Sequence, residues 1–222
     1  MKYIHTLLIL FGTVLIWSAI HPKDYFTWIL EVMPAIIGLF ILIATYKRFR
    51  FTNLVYGLIL IHSWILMIGG HYTYAEVPFF DWIKDIFDQS RNNYDKIGHF
   101  AQGFIPAMII REVLIRQKVV FSRRWLNFIV VSICMAISVS YEFIEWFVAE
   151  LTGESSESFL GTQGYVWDTQ SDMLFATIGA IIALISLSKS HEKMLAKMAA
   201  ADQHENTVPP DSGRMPHPKG TF

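Results

Sequence analysis

The chain of 222 residues has a single cysteine, Cys134, and little charge. One cysteine cannot close an intrachain disulfide, and no Cys-based metal motif exists. Only 17% of the residues are Asp, Glu, Lys or Arg, where a soluble domain usually carries about 25%. The formal net charge is −1. No basic stripe is present, so nucleic acid is not an expected partner. The HExxH signature of zinc peptidases is absent too.

What remains is apolar. Hydrophobic residues make up 53% and aromatic residues 15%, with a mean hydropathy of +0.38. Long apolar runs alternate with short charged connectors, the pattern of a polytopic membrane protein. A spanning helix needs about 20 mainly apolar residues. Six stretches qualify: 3–20, 26–46, 54–74, 97–115, 126–149 and 170–188. The first is short and follows Lys2, as a signal peptide would. No small-x-small cleavage site follows it, so it is expected to stay as a span. Trp17, Trp28, Trp125, Trp146 and Trp167 fall near span ends, where an interfacial belt places them. Trp64 sits mid-span.

Charge gives the direction. Lys47, Arg48 and Arg50 follow span 2. Arg111, Arg116, Lys118, Arg123 and Arg124 follow span 4, and Lys189, Lys193 and Lys197 follow span 6. The connector after span 3 is mainly acidic, and the one after span 5 holds Glu150, Glu154 and Glu157 with no basic residue. Every basic connector falls on one side of a six-span arrangement. The positive-inside rule therefore predicts a multi-pass membrane protein with both termini in the cytoplasm.

Pro78 to Gln89, "PFFDWIKDIFDQ", is too short to span. Phe79, Phe80, Trp82, Ile83, Ile86 and Phe87 form one helical face; Asp81, Lys84, Asp85 and Asp88 form the other. This predicts an amphipathic helix in the outer interface. The expected fold is all-α: a polytopic membrane bundle of six transmembrane helices with one outer interfacial helix. Residues 1–190 form a single membrane domain. Residues 191–222 form a cytoplasmic tail, disordered from about Ala199, where there is little to bury and Pro, Gly and polar residues are frequent. His204 and His217 in that tail are read as incidental.

The apolar stretch after Asn92 begins with polar residues. Asp95, His99 and Gln102 fall on one helical stripe, beside Lys96. His71 ends span 3, Glu142 and Glu145 end span 5 with Ser138 a turn deeper, and Asp168 and Asp172 begin span 6 at i, i+4. In the six-span topology all of these arrive at the outer level of the membrane. Ionisable groups inside a bilayer cost roughly 2.5–3.5 kcal/mol each, so they face the bundle and find partners. Ala176, Gly179, Ala180 and Ala183 form a small-residue stripe beneath Asp172, suited to close helix packing.

This predicts one outward-opening pocket lined by His71, His99, Glu142, Glu145 and Asp172, with Asp95 and Asp168 at its mouth. In that pocket His99, Glu142, Glu145 and Asp172 are the candidate catalytic groups, and Asp95, Lys96, Gln102 and Asp168 are candidates for substrate binding. His71, His99, Glu142 and Asp172 are the candidate ligands for a divalent metal, since imidazole and carboxylate suit zinc, iron or manganese. The same groups can serve as acid and base without metal, or hold helices together by hydrogen bonds alone. Ser138 or Ser140 as a nucleophile is weaker, because hydroxyls inside spans commonly bond the backbone. The functional expectation is processing of an amphiphilic envelope molecule or lipid. The alternatives are binding or transport of a small polar ligand or ion, or a structural, partner-binding role. Whether the protein is an enzyme stays open at this point, as does its oligomeric state. Membrane lipid is the expected surrounding partner.

Four segments carry a resemblance: "GHYTYAEVP" (70–78 with the preceding glycine), "YDKIGHFAQGFIPAMIIRE" (94–112), "YEFIEW" (141–146) and "FLGTQGYVWDTQSDML" (159–174). Together they resemble the YjdF-like family of bacterial inner-membrane proteins, over most of the chain to about residue 188. The resemblance implies a bacterial inner (cell) membrane location and the fold, and no particular reaction. More distantly, the order DK-x-x-HF, then Glu, then Asp before a glycine-containing helix is similar to VanZ-like proteins, linked to glycopeptide resistance. That likeness implies matching roles for Asp95, Lys96, His99, Phe100, Glu142, Asp168 and Gly179. The arginine that pattern expects between the Glu and Asp motifs is absent here.

Overall fold

A computed structural model describes residues 2–152 and 162–207, with side chains described through residue 201. Among the described residues seven α-helices follow in order: α1 (Lys2–Ala19), α2 (Tyr25–Thr45), α3 (Asn53–Tyr72), α4 (Pro78–Ile86), α5 (Tyr94–Arg116), α6 (Arg123–Thr152) and α7 (Asp168–Thr207). A 3-10 turn, Tyr74–Glu76, links α3 to α4. Among the described residues, α1, α2, α3, α6 and α7 are long and apolar enough to cross a membrane. The sixth long helix, α5, has 23 residues, about 35 Å at 1.5 Å per residue, which also suffices to cross. It carries Asp95, Lys96, His99, Arg111 and Glu112, all buried. Hydropathy alone therefore undervalues it. It tolerates this polarity because α3, α6 and α7 pack around it, so its charges meet protein rather than lipid.

The helices alternate between an acidic end, where α5 and α7 begin, and a basic end, where α3 and α6 begin. At α2 the Asp24 carboxylate accepts from the Thr27 amide at 2.7 Å, capping the first turn. α1 and α3 run parallel. The Tyr3 hydroxyl donates to the Asn53 carbonyl at one end, and His71 Nδ1 lies 3.0 Å from the Ser18 carbonyl oxygen at the other. α5 and α7 also run parallel, in backbone contact. A Cβ on Gly179 would lie 2.1 Å from the Phe100 carbonyl oxygen. Ala176, Ala180 and Ala183 are fully buried in this seam, so the small-residue stripe packs as its composition implies.

α4 leaves Phe79, Trp82, Ile86 and the following Phe87 exposed. Phe80 turns inward, its ring 5.3 Å from Tyr94 edge to face. An exposed aromatic face on a short helix suits the membrane interface. Just before it, Thr73 adopts φ 60° and ψ 146°. That region costs a residue with a Cβ on the order of 1–3 kcal/mol. The turn sends the Tyr74 ring between Gly69 and Gly98, where a Cβ would lie 2.2 and 2.7 Å from ring atoms.

The C-terminal expectation needs correction. α7 runs unbroken through residue 190 and past Ala199 to Thr207. The reason is propensity: Ala, Lys, Met and Glu dominate residues 192–201, and the first proline after Pro106 is Pro209. Residues 208–222 lie outside the described residues. His191, just past the expected domain limit, is fully buried. Its Nε2 lies 2.9 Å from Glu112 Oε2 and its Nδ1 2.9 Å from Arg111 Nη1. Glu112 also accepts from the Thr52 amide and hydroxyl and from Arg116. Arg111, which reads in sequence as a connector charge, is buried with this group.

Candidate functional site

The acidic end of α5 meets the start of α7 in a lattice of ion pairs. Lys96 Nζ lies 2.5 Å from Asp172 Oδ1, 2.7 Å from Asp168 Oδ1 and 3.4 Å from Asp95 Oδ2. Arg91 approaches the same group, 2.6 Å from Asp168 and 3.5 Å from Asp95. Their charged ends pass within 6 Å of the Tyr165 ring centroid. Asn92 holds the two approach segments together. Its amide donates to Gln163 Oε1, and Gln163 Nε2 donates back to the Asn92 carbonyl. The segment before α7 is thereby pinned to the segment before α5, which sets the register of the lattice.

His99 stands one turn deeper. Its Nε2 is 3.3 Å from Asp95 Oδ1 and 3.9 Å from Asp172 Oδ1. Its Nδ1 is 3.3 Å from Gln102 Oε1 and 3.8 Å from Glu142 Oε1. Glu142 Oε1 is buried without a hydrogen-bond partner. Glu145, also buried, lines a cavity of about 170 Å³ with Glu31, Asp95, His99, Gln102 and Tyr141. The Tyr141 hydroxyl reaches Glu31 Oε2 at 3.4 Å. Carboxylates here outnumber the fixed cations Arg91 and Lys96. An imidazole between carboxylates on both ring nitrogens can pass a proton from one side to the other.

The structure brings together Asp95, Lys96, His99, Gln102, Glu142, Glu145, Asp168 and Asp172. It does not bring His71. That ring lies tilted against Trp17, centroids 4.5 Å apart, and bonds the Ser18 carbonyl, on the α1 side of α3. The reason is rotational: α3 turns its His71 face to α1 and its opposite face, with Gly69, to Tyr74 and α5. Asp95 and Asp168 differ from expectation in another way. Placed at a pocket mouth by sequence, they are buried at the centre of the ion-pair lattice. Ser140 donates to the Ala136 carbonyl at 2.8 Å, so its proton is committed to the backbone. Ser138 is fully buried and its hydroxyl has no partner. Glu154 and Glu157 lie outside the described residues.

The profile of the family described as "Predicted membrane protein (DUF2238)" matches residues 3–193. The chain belongs to this family. Another protein, "Inner membrane protein YjdF" of Escherichia coli (strain K12), is 45% identical over 184 residues, covering 83% of this chain and 88% of that protein. No solved structure matches. The chain is thus a multi-pass inner-membrane protein of the DUF2238 family. The matched range spans both the site and the buried His191. The VanZ-like likeness rests on its motifs alone.

Several residues of this DUF2238 chain escaped the sequence reading. Glu31 is a lone carboxylate inside the apolar run "WILEVMP", and that isolation was the available signal. Arg91, Asn92 and Gln163 lie in connectors, where no periodicity marks them. Arg111 and His191 were hidden by the charge counts of their neighbours.

Proposed function

We propose that this protein takes up the polar head of an amphiphilic envelope molecule, a lipid foremost, from the outer leaflet and acts on it with His99, Glu142 and Glu145. The supporting observation is the graded wall of the 170 Å³ cavity. Toward the acidic end it presents Glu31, Asp95, His99 and Glu145. Toward the membrane middle it presents Pro34, Leu66, Pro106 and Ile137. The cavity lies in front of α5 between α2 and α6, which are not a major packed pair, so the approach from lipid is through that gap. A polar head and an apolar stem entering together match this gradient. The carboxylate lining favours a head with an amine or hydroxyls over a bare phosphate, which it would repel.

In this reading Asp95 and Gln102 orient the His99 ring. Glu142 and Glu145 take or give a proton at the head. Lys96 and Asp168 hold α5 to α7 and so fix the spacing of His99 and Asp172. The acidic end faces the periplasm, as the basic connectors suggest.

Lipids retained by detergent-purified protein, identified by mass spectrometry, test the reading. An enriched amine- or polyol-headed lipid, lost in Glu145→Gln but kept in Glu150→Gln, is the expected result. Retention identical in both variants, or a bulk membrane composition in the wild type, overturns it.

A further inference from the structure

A ligand atom from each of Asp95, His99 and Asp172 lies within 4.8 Å of the others, and all three residues are buried. Two ligands held about 2.1 Å from one ion can be at most about 4.2 Å apart. The two His99 separations, 3.3 and 3.9 Å, meet that limit. The two aspartates then need only a small side-chain rotation.

His99 offers a ligand nitrogen in one of its two neutral tautomers. With the ring proton on Nδ1, toward Gln102 Oε1, the Nε2 lone pair faces Asp95 and Asp172. A lone pair aimed at carboxylate oxygens is repulsive unless something positive lies between. Metal-ligating histidines commonly give their other N–H to an oxygen acceptor of this kind. A second observation is independent of the three ligands. Glu142 Oε1 lies at the other edge of the His99 ring, 3.8 Å from Nδ1, with no hydrogen-bond partner. Its residue is only 7% exposed. A buried carboxylate oxygen without a donor calls for a cation in its neighbourhood.

We propose that Asp95, His99 and Asp172 form a divalent-cation site, with the Glu142 carboxylate at the opposite edge of the His99 ring. One imidazole with carboxylates suits Mn²⁺, Fe²⁺ or Zn²⁺. Lys96 does not replace the ion. It is shared between Asp168 and Asp172, and the Asp172 oxygen it holds is the one that faces His99, with a further lone pair to offer an ion. This differs from the set the sequence suggested, because His71 is on another face and Asp95 takes its place. The site rests on the functional reading above only for what the ion would do, which is to hold an oxygen of the bound head. It does not rest on it for whether the ion binds.

The test uses the full chain in detergent, stripped with chelator, and Mn²⁺ as probe. Electron paramagnetic resonance should show about one bound Mn²⁺ per chain, with ¹⁴N coupling from one imidazole. His99→Gln and Asp172→Asn should each weaken binding by roughly tenfold or more, and His71→Gln should leave it unchanged. No bound Mn²⁺ in the wild type, or bound Mn²⁺ without ¹⁴N coupling, overturns the site, since a proton on Nε2 then explains the geometry. The coupling is read on wild type, so a variant that fails to fold does not blunt the experiment. Bound ion without an enriched lipid keeps the site and removes the amphiphile reading; an enriched lipid without ion does the reverse.

Discussion

Gly103 of α5 and Ala176 of α7 meet backbone to backbone. A Cβ on Gly103 would lie 1.7 Å from the Ala176 carbonyl oxygen. The contact is one turn below His99 and Asp172, so it fixes how closely the two sides of the site approach. Backbone cannot yield as a flexible side chain can.

Gly103→Ala should therefore destabilise the protein by about 1–3 kcal/mol through overpacking, with Gly179→Ala behaving alike. Gly38→Ala on α2 is the control, because nothing lies within 4 Å of its added Cβ. There the helix preference for alanine should raise stability by up to about 1 kcal/mol. Thermal unfolding in detergent reads all three. Equal effects at Gly103 and Gly38 would contradict the close seam.

The basic end gives a sharper truncation test. Ending the chain at residue 190 removes His191 and leaves Arg111 and Glu112 short of a partner in a buried setting. A loss on the order of 3–5 kcal/mol is expected, as for other broken buried charge groups. Ending it at Ala200 keeps His191 and should cost little. Glu192 is 43% exposed but lies 2.6 Å from the buried Arg111 guanidinium, so Glu192→Ala should destabilise the protein, though less than the loss of the whole segment from His191 onward. If both truncations unfold at the wild-type temperature, His191 contributes nothing to the fold.

In the ion-pair lattice, Lys96→Met leaves Asp168 and Asp172 facing each other with less countercharge. A destabilisation of about 3–5 kcal/mol follows. Glu150→Ala, at an exposed position on α6, should change stability by about 0.5 kcal/mol or less. Chemical denaturation of both variants provides the comparison, and similar small losses would mean that the lattice is hydrated rather than buried.

Topology can be read directly. Reporters fused after Ser90 should report the periplasm, and reporters fused after Lys118 the cytoplasm. Reversed signals would place the acidic end in the cytoplasm and exclude an envelope-facing substrate.

Much of the fold was legible in the sequence because its rules are local. About 20 apolar residues make a span wherever they occur. The alternation of basic and acidic connectors is a property of the chain alone, and so is the two-faced pattern of Phe79 to Phe87. The stripe of Asp95, His99 and Gln102 likewise follows from helical period. Propensity was legible too, and a closer weighing of Ala, Lys and Glu near residue 195 would have carried α7 further.

Tertiary structure decided which polar residues share a site. His71 and His99 both stand near the acidic end of a span, and no periodicity says which way α3 is rotated about its axis. Packing decides it: Tyr74 wedges between Gly69 and Gly98, and this turns His71 toward Trp17. Glu31 enters because α2 happens to face Tyr141 across the cavity. Arg111 and Glu112 become a buried pair only because His191, some 80 residues on, arrives between them. Helical period fixes the face on which a side chain lies, while the neighbour that covers that face fixes whether its charge meets lipid, water or a partner.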